Sequence, residues 1–290
     1  MNSRNMGGRW FDVCNVIILG IVGLICLLPF LHVLAKSFSD QASVMGNKVS
    51  FLPVGFNMTA YQFVLSKTRF FEALRVTLFV TVIGTILSMA ITIMAAYPLS
   101  KPEFRGRKLI LLLYVFSMLF YGGIIPGYIL MKGIGLLDTV WAMIIPLLVV
   151  PFNLFVCKTF FEGLPESVEE SAKMDGASNM RILISIILPM SLPVLATLGI
   201  FYAVGYWNNY FHPLIFISSV DLKPLQLFLY DTIANTDEIL REQPDDVKLA
   251  ISPEGLRAAT VICTVLPILL VYPFLQKYFI HGLTIGSVKG

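Results

Sequence analysis

Six stretches of this 290-residue chain are nearly free of charge, and each is long enough to cross a bilayer as a helix. They run from Val13 to Ala35, Val76 to Ser100, Leu109 to Met131, Thr139 to Cys157, Ile182 to about Trp207, and Ala258 to Gln276. At about 1.5 Å per residue such segments match a hydrocarbon core of about 30 Å. Lipid offers the backbone no hydrogen bonds, so a spanning segment must be a helix or part of a closed barrel. A barrel needs strict alternation of apolar and polar residues, which these runs lack. The expected class is therefore an all-α polytopic membrane protein with six transmembrane helices, forming one transmembrane domain over residues 1–290.

Composition agrees. Hydrophobic residues make up 57% and charged residues 13% of the chain, about half the charge of a soluble domain. The net charge of +3 gives no reason to expect a nucleic-acid partner. Cys14, Cys26, Cys157 and Cys263 lie in or beside apolar runs, at spacings that fit neither a metal site nor a disulfide framework. They read as small buried hydrophobes. Arg4 and Arg9 resemble the charged start of a signal peptide. The first apolar run is long, however, and no small-x-small site clearly follows it, so a retained span is expected.

Orientation rests on Lys101, Arg105, Arg107 and Lys108, crowded between the second and third spans. Positive charge marks the cytoplasmic side, and an even number of spans puts both termini there. Two long segments then face outward. Residues 36–75 are rich in loop residues, with a short helix expected near Tyr61 to Leu65. Residues 208–257 offer an amphipathic helix around Leu225 to Ile233. An acidic stretch follows, containing Asp237, Glu238, Glu242, Asp245 and Asp246. It reads as a solvated loop, with contact to an external protein as the alternative. Ser252-Pro253-Glu254 has helix-start chemistry and is expected to open the sixth span.

The spans carry no Asp, Glu, Lys or Arg well inside them. Ion- and proton-coupled carriers keep ionisable groups at membrane depth, and only His32 and His212 lie near span ends here. No Gly-x-x-x-x-Gly-Lys-Ser/Thr phosphate loop occurs. Uphill transport by this chain would draw its energy from another subunit.

The most ordered polar segment is the loop from about residue 162 to 181. Pro165 suits a first helical turn. Glu166, Glu169 and Glu170 favour the N-terminal half of the helix dipole. Leu164, Val168 and Ser171/Ala172 fall on one face at helical spacing, with small residues that let another backbone approach. Gly176 can stop the helix by adopting positive φ, and Ser178 or Asn179 can cap the next helix. A helix lying on lipid headgroups would carry Lys or Arg and large apolar residues. This acidic, small-sided helix fits docking to a protein better.

In register with that reading, Glu170-Ser171-Ala172, then Gly176, then Ile186-Ile187-Leu188-Pro189 resemble the EAA signature of permease subunits of binding-protein-dependent ABC importers. Serine stands at the usual first alanine, and Asp175-Gly176-Ala177 also fits. Tyr121-Gly-Gly-Ile-Ile-Pro126, Leu137-Asp-Thr-Val-Trp141, Tyr206-Trp-Asn-Asn-Tyr210 and Gly286-Ser-Val-Lys-Gly290 are similar to the carbohydrate-importer branch, in particular the maltose-type second permease. Pro224-Leu225-Gln226-Leu227 resembles a subgroup handling complex oligosaccharides.

The resemblance implies the type I importer permease fold in a cytoplasmic or inner membrane, set among lipid. It implies a second permease subunit, two ATPase subunits that bind ATP and Mg, and an extracytoplasmic solute-binding protein. This chain itself would bind no cofactor and catalyse nothing. Glu169, Glu170, Ser171, Ala172, Asp175, Gly176 and Ala177 would couple to the ATPase. Glu170 would meet a basic residue there, and Gly176 would form the turn.

Sugar sites combine aromatic faces with amides and hydroxyls. Tyr121 with Phe120, and Tyr206, Trp207, Asn208, Asn209 and Tyr210, have that chemistry, although Trp and Tyr also gather at membrane interfaces without binding anything. Pro189 and Pro193 remove helix hydrogen bonds and are expected to bend the fifth span as a hinge or cavity wall. Two other functional classes compete. An autonomous secondary transporter or channel needs coupling residues or a symmetric pore. A membrane-embedded transferase needs acids, histidines or a nucleophile clustered at one membrane face.

Overall fold

The computed structural model describes residues 6–120 and 122–285, and their regular elements are all helical. They pack as two compact units, drawn from residues 1–70 with 229–267 and from residues 71–228 with 268–290. Three helices are unbroken, apolar and long enough to span: Phe11–Ser37, Phe70–Ser100 and Pro253–Val271. The other three expected spans are bent pairs. Arg107–Leu119 and Ile124–Gly133 meet at 118°, Trp141–Leu147 and Pro151–Glu162 at 50°, and Asn179–Met190 and Leu192–Trp207 at 84°.

Each bend has a local cause. Gly123 adopts a φ of 92° ahead of the second half of the third pair, a conformation that costs glycine little. In the fourth pair Val150 is extended before Pro151, as the proline ring requires of its predecessor. In the fifth pair the break falls at Ser191, between Pro189 and Pro193, after a π-helical stretch over Leu183–Ile187. The bend expected from those two prolines is present. The third and fourth spans are bent as well.

In the first unit, the Met6–Ser37 helix is exposed along its apolar length. Cys14 and Cys26 sit on that exposed surface, not in a core, whereas Cys157 and Cys263 are buried. Ser37 Oγ and Tyr61 Oη lie 2.7 Å apart, and Lys36 pairs with Glu254 at 2.5 Å. The short outer helix runs Thr59–Lys67. Ser252 Oγ accepts the Gly255 N–H at 2.9 Å and caps the helix that begins at Pro253, as its sequence foretells. The acidic stretch is helical over Thr236–Arg241 and Asp245–Ala250, and Asp237 pairs with Arg257 at 3.3 Å.

The second unit holds two apolar cores. One gathers Val80, Met131, Met143, Ile144, Tyr202, Tyr206 and Phe216. The other gathers Tyr97, Cys157, Phe161, Ile182, Leu183, Ile187 and Leu198. Across the first core runs a polar clasp. Tyr206 Oη donates to the Ile144 carbonyl at 3.1 Å and therefore accepts from Ser88 Oγ at 2.9 Å. One turn away, Tyr202 Oη and Thr92 Oγ1 lie 2.7 Å apart, and Tyr202 Oη accepts the Val150 N–H at 3.4 Å. Tyr202/Tyr206 and Ser88/Thr92 are both i, i+4 pairs, so two antiparallel rows of hydroxyls meet in register.

The backbone groups they reach flank the break in the fourth span. Pro151 has no N–H for Leu147, and Ser88 Oγ lies 3.5 Å from that carbonyl. Gly84 lets the ring in, because a Cβ there would lie 2.6 Å from Tyr206 Cζ.

Tyr206→Phe should cost about 1–3 kcal/mol by removing the hydroxyl that joins the Ile144 carbonyl to Ser88, seen as a lower unfolding midpoint of the purified protein in detergent. Gly84→Ala should lower it too, by displacing the same ring. An unchanged midpoint for Tyr206→Phe refutes the clasp.

Candidate functional site

The expected coupling loop is a helix, a tight turn and a second helix. The first helix covers Glu166–Met174, with Pro165 immediately before it at the cap position instead of inside the first turn. Its end is a Schellman turn. Ala177 N–H reaches the Ala172 carbonyl at 3.0 Å, and Gly176 N–H reaches the Lys173 carbonyl at 3.0 Å. Gly176 holds a φ of 78°, which a β-branched residue would adopt only with strain. Ser178 Oγ accepts the Arg181 N–H at 3.4 Å and caps the next helix, Asn179–Ile182.

The two faces of the 166–174 helix differ from the expected pattern. Leu164, Ala172 and Ala177 pack inward against the core around Tyr97 and Phe161. Glu169 is also buried, with its carboxylate paired to Lys101. Glu169 thus turns away from the exposed face, and Ala172 and Ala177 are partly covered. Their helix-face neighbours are the residues of this same chain. Val168 and Ser171 turn outward instead of sharing a face with Leu164.

The exposed face is Ser167, Glu170, Ser171 and Met174, at i, i+3, i+4 and i+7. Asp175 and Gly176 are exposed at its end. Met174 is 88% exposed, an unusual placement for a thioether side chain. No motif marks Met174 in the sequence; only its spacing from Ser167, Glu170 and Ser171 points to it.

The buried side of the helix is fixed by charge. Lys101 Nζ sits 5.0 Å from the Tyr97 ring centroid while it pairs with Glu169. Nearby, Glu162 takes ion pairs from Arg107 and from Lys158, the latter at 2.7 Å, and Arg107 Nε donates to the Leu99 carbonyl at 2.8 Å. The basic cluster after the second span is therefore also a seat for the loop, a role that counting charges does not disclose. Removing one partner of a buried pair strands the other charge. Lys101→Met should cost about 3–5 kcal/mol, while adding Glu169→Leu should recover most of it. A double-mutant cycle of thermal unfolding reads the coupling, and additive losses would sink it.

The aromatic–amide cluster at the end of the fifth span divides. Tyr206 is buried and its hydroxyl is committed to the clasp, while its ring lines the cavity beside it. Trp207 is buried with Nε1 unpaired, and Asn209 Nδ2 is buried and unpaired as well. Asn209 Oδ1 lies 3.0 Å from His212 Nδ1. Asn208 and Tyr210 are exposed, and Asn208 Oδ1 accepts from Gln226 Nε2 at 3.5 Å. Tyr121 and residues 286–290 lie outside the described residues. Beside the clasp opens a cavity of about 510 Å³, lined by Leu147, Val150, Asn153, Phe201 and Tyr202 among others. Asn153 and Tyr202 carry no motif and went unnoticed in the sequence.

At the far end of this unit Asp138, with a φ of 58°, ties two loops together. Its carboxylate accepts the Ser219 hydroxyl, the Ser219 N–H at 2.8 Å and the Ser218 N–H at 2.9 Å. The Ser219 hydroxyl, then the two N–H groups, hold its pKa below the ordinary 3.8. A depressed carboxylate stabilises the fold above its unfolded pKa and loses that effect as pH falls through the folded value. Asp138→Ala should therefore speed protease nicking near residues 217–222 at neutral pH. Asp138→Asn, which keeps an acceptor and tolerates positive φ, should fall between. The wild type should loosen only below about pH 3.8. Equal nicking of all three at neutral pH would refute the staple.

Helical spans broken in the middle, with a cavity beside the break, are the arrangement from which membrane transporters build substrate sites. The chain belongs to the family described as the inner membrane component of binding-protein-dependent transport systems, which matches residues 76–285. It is 46% identical to Protein LplC of Bacillus subtilis (strain 168) over 284 residues, 98% of this chain and 96% of that one. It is 40% identical to the polygalacturonan/rhamnogalacturonan transport system permease protein YtcP of the same organism, over 98% of this chain and all of that one. A solved chain from a bacterial ABC transporter that imports the acidic polysaccharide alginate superposes with a TM-score of 0.88 at 32% identity, covering 96% of this chain and 100% of that one. The fold is that of a type I ABC importer permease.

Proposed function

We propose that this chain is one permease subunit of an ATP-driven importer that carries an oligosaccharide across the cytoplasmic membrane. One observation carries the reading. The 166–174 helix is pinned from behind by Lys101–Glu169 and the Tyr97–Phe161 core, yet is bare in front along Ser167, Glu170, Ser171 and Met174. Such a helix passes a push from a partner into the spans with little loss. The partner is a separate ATPase that binds ATP and Mg. Met174 enters an apolar recess on it, and Glu170 meets a basic side chain.

The remaining assembly follows from the same reading. A second permease subunit completes the path, a second ATPase serves it, and an extracytoplasmic binding protein delivers the sugar. The basic loop from Lys101 to Lys108 faces the cytoplasm, as do both termini. Closure of the ATPases tilts the two docking helices and alternates access across the membrane. The sugar class is supported by the relatives, among them a polygalacturonan/rhamnogalacturonan permease and an alginate importer. The span interiors, without a coupling carboxylate or lysine, favour this reading over an autonomous carrier.

The test is co-purification of the tagged chain with its ATPase from mild detergent. Glu170→Lys and Met174→Asp should each lose the ATPase and abolish sugar-stimulated hydrolysis, while the chain inserts and folds as before. Retention of a fully stimulated ATPase by both variants would overturn the docking face. A chain that purifies alone and moves sugar without ATP would restore the secondary transporter.

A further inference from the structure

The cavity beside the broken fourth span holds one polar side chain that the fold does not use. Asn153 lies on the first turn of the Pro151–Glu162 helix, is only 4% exposed, and lines the cavity. Its amide makes no hydrogen bond to any described residue. Buried amides are ordinarily paired, and a residue kept only for packing there would be Leu or Met. The surroundings sharpen the contrast. The Tyr202 and Tyr206 hydroxyls are consumed by Thr92, Ser88 and the backbone of the break, so these residues offer the cavity ring surface and no free donor. Phe201, Ile200, Val204 and Leu147 supply the rest of the wall. One amide can both donate and accept, and it faces apolar and aromatic surface. That combination suits a pyranose, whose C–H face lies on a ring while an adjacent hydroxyl pair engages the amide. A volume of about 510 Å³ falls within the range of small-molecule sites, about 300–1,000 Å³.

We infer that Asn153 is a substrate-contacting residue, the hydrogen-bonding point at which this subunit holds one sugar unit during passage. This deepens the importer reading and rests on it. A neutral amide selects for a hydroxyl pair and not for charge, so Asn153 would read the hydroxyl pattern of a sugar unit whether or not the chain also bears carboxylates.

The experiment uses the full complex in liposomes, with its binding protein and a panel of galacturonan, alginate and malto-oligosaccharides as probes. Because the amide has no partner among the described residues, Asn153→Leu should leave the thermal midpoint unchanged or raise it. Uptake of the transported probe should fall about three- to tenfold, the value of one hydrogen bond, with binding-protein affinity unaltered. Asn153→Gln should retain more uptake than Asn153→Leu. Unchanged uptake in Asn153→Leu overturns the inference and leaves the cavity to lipid or to a side chain of the companion permease. A lowered midpoint overturns it as well, by making Asn153 structural. Failure of the wild-type complex to transport any probe overturns the importer reading, and this inference with it, whereas the two outcomes above leave that reading standing.

Discussion

A break in a membrane helix exposes backbone groups that lipid cannot satisfy, and this fold rests on how one such break is closed. Between Leu147 and Pro151 the fourth span loses its regular ladder, because proline brings no N–H and forces Val150 extended. In hydrocarbon each orphaned group would cost several kcal/mol. Tyr206 and Tyr202 reach across from the fifth span and cover the Ile144 carbonyl and the Val150 N–H. Ser88 and Thr92 of the second span complete the hydrogen bonding of both phenols. Three spans are thereby joined at one polar layer, and Gly84 is small because Tyr206 must pass over it. The bend that makes room for a cavity and the contacts that pay for the bend involve the same residues.

The end of the unit that carries the 166–174 helix follows a different logic. There water is present, so charges do what hydroxyls do inside. Lys101 neutralises the buried Glu169, and Glu162 gathers Arg107 and Lys158. The effect is a short helix that cannot rock independently of the second and fourth spans. On the proposed function, a partner pressing on Glu170 and Met174 would push on the helices that carry the tyrosine clasp. The acidic and apolar elements of the 166–174 helix divide cleanly, one set spent on anchoring and the other left free.

Much of this was legible in the sequence, for identifiable reasons. Hydropathy located the spans because burial in lipid demands long charge-free runs. Gly176, Ser178 and Ser252 were legible because turn and cap chemistry is local, decided within four residues. Pro189 and Pro193 announced the fifth bend for the same reason. The third and fourth bends carried comparable signals, Gly123 before Pro126 and Pro146 with Pro151, but apolar continuity masked them. What the sequence hid was pairing across long separations. Glu169 reads like Glu170 until Lys101, sixty-eight positions away, takes it inward. Tyr206 reads like Trp207 and Tyr210, an interfacial aromatic, until Ser88 and Ile144 claim its hydroxyl.

The same distinction separates residues that hold the fold from residues left for function. In a helical membrane protein a polar side chain is costly, so each one either closes a backbone group, pairs with another, or waits for something to arrive. Tyr202, Tyr206, Ser88 and Thr92 belong to the first kind, Lys101 and Glu169 to the second. Asn153 meets neither condition, and neither does the outward carboxylate of Glu170 on a helix otherwise pinned down. One faces a cavity beside a broken span and the other is exposed beyond the Tyr97–Phe161 core. Both lie in the same compact unit. On the function and inference proposed above, a push at Glu170 and a sugar at Asn153 would act on one unit from its two ends, as transport driven by a partner's nucleotide cycle requires.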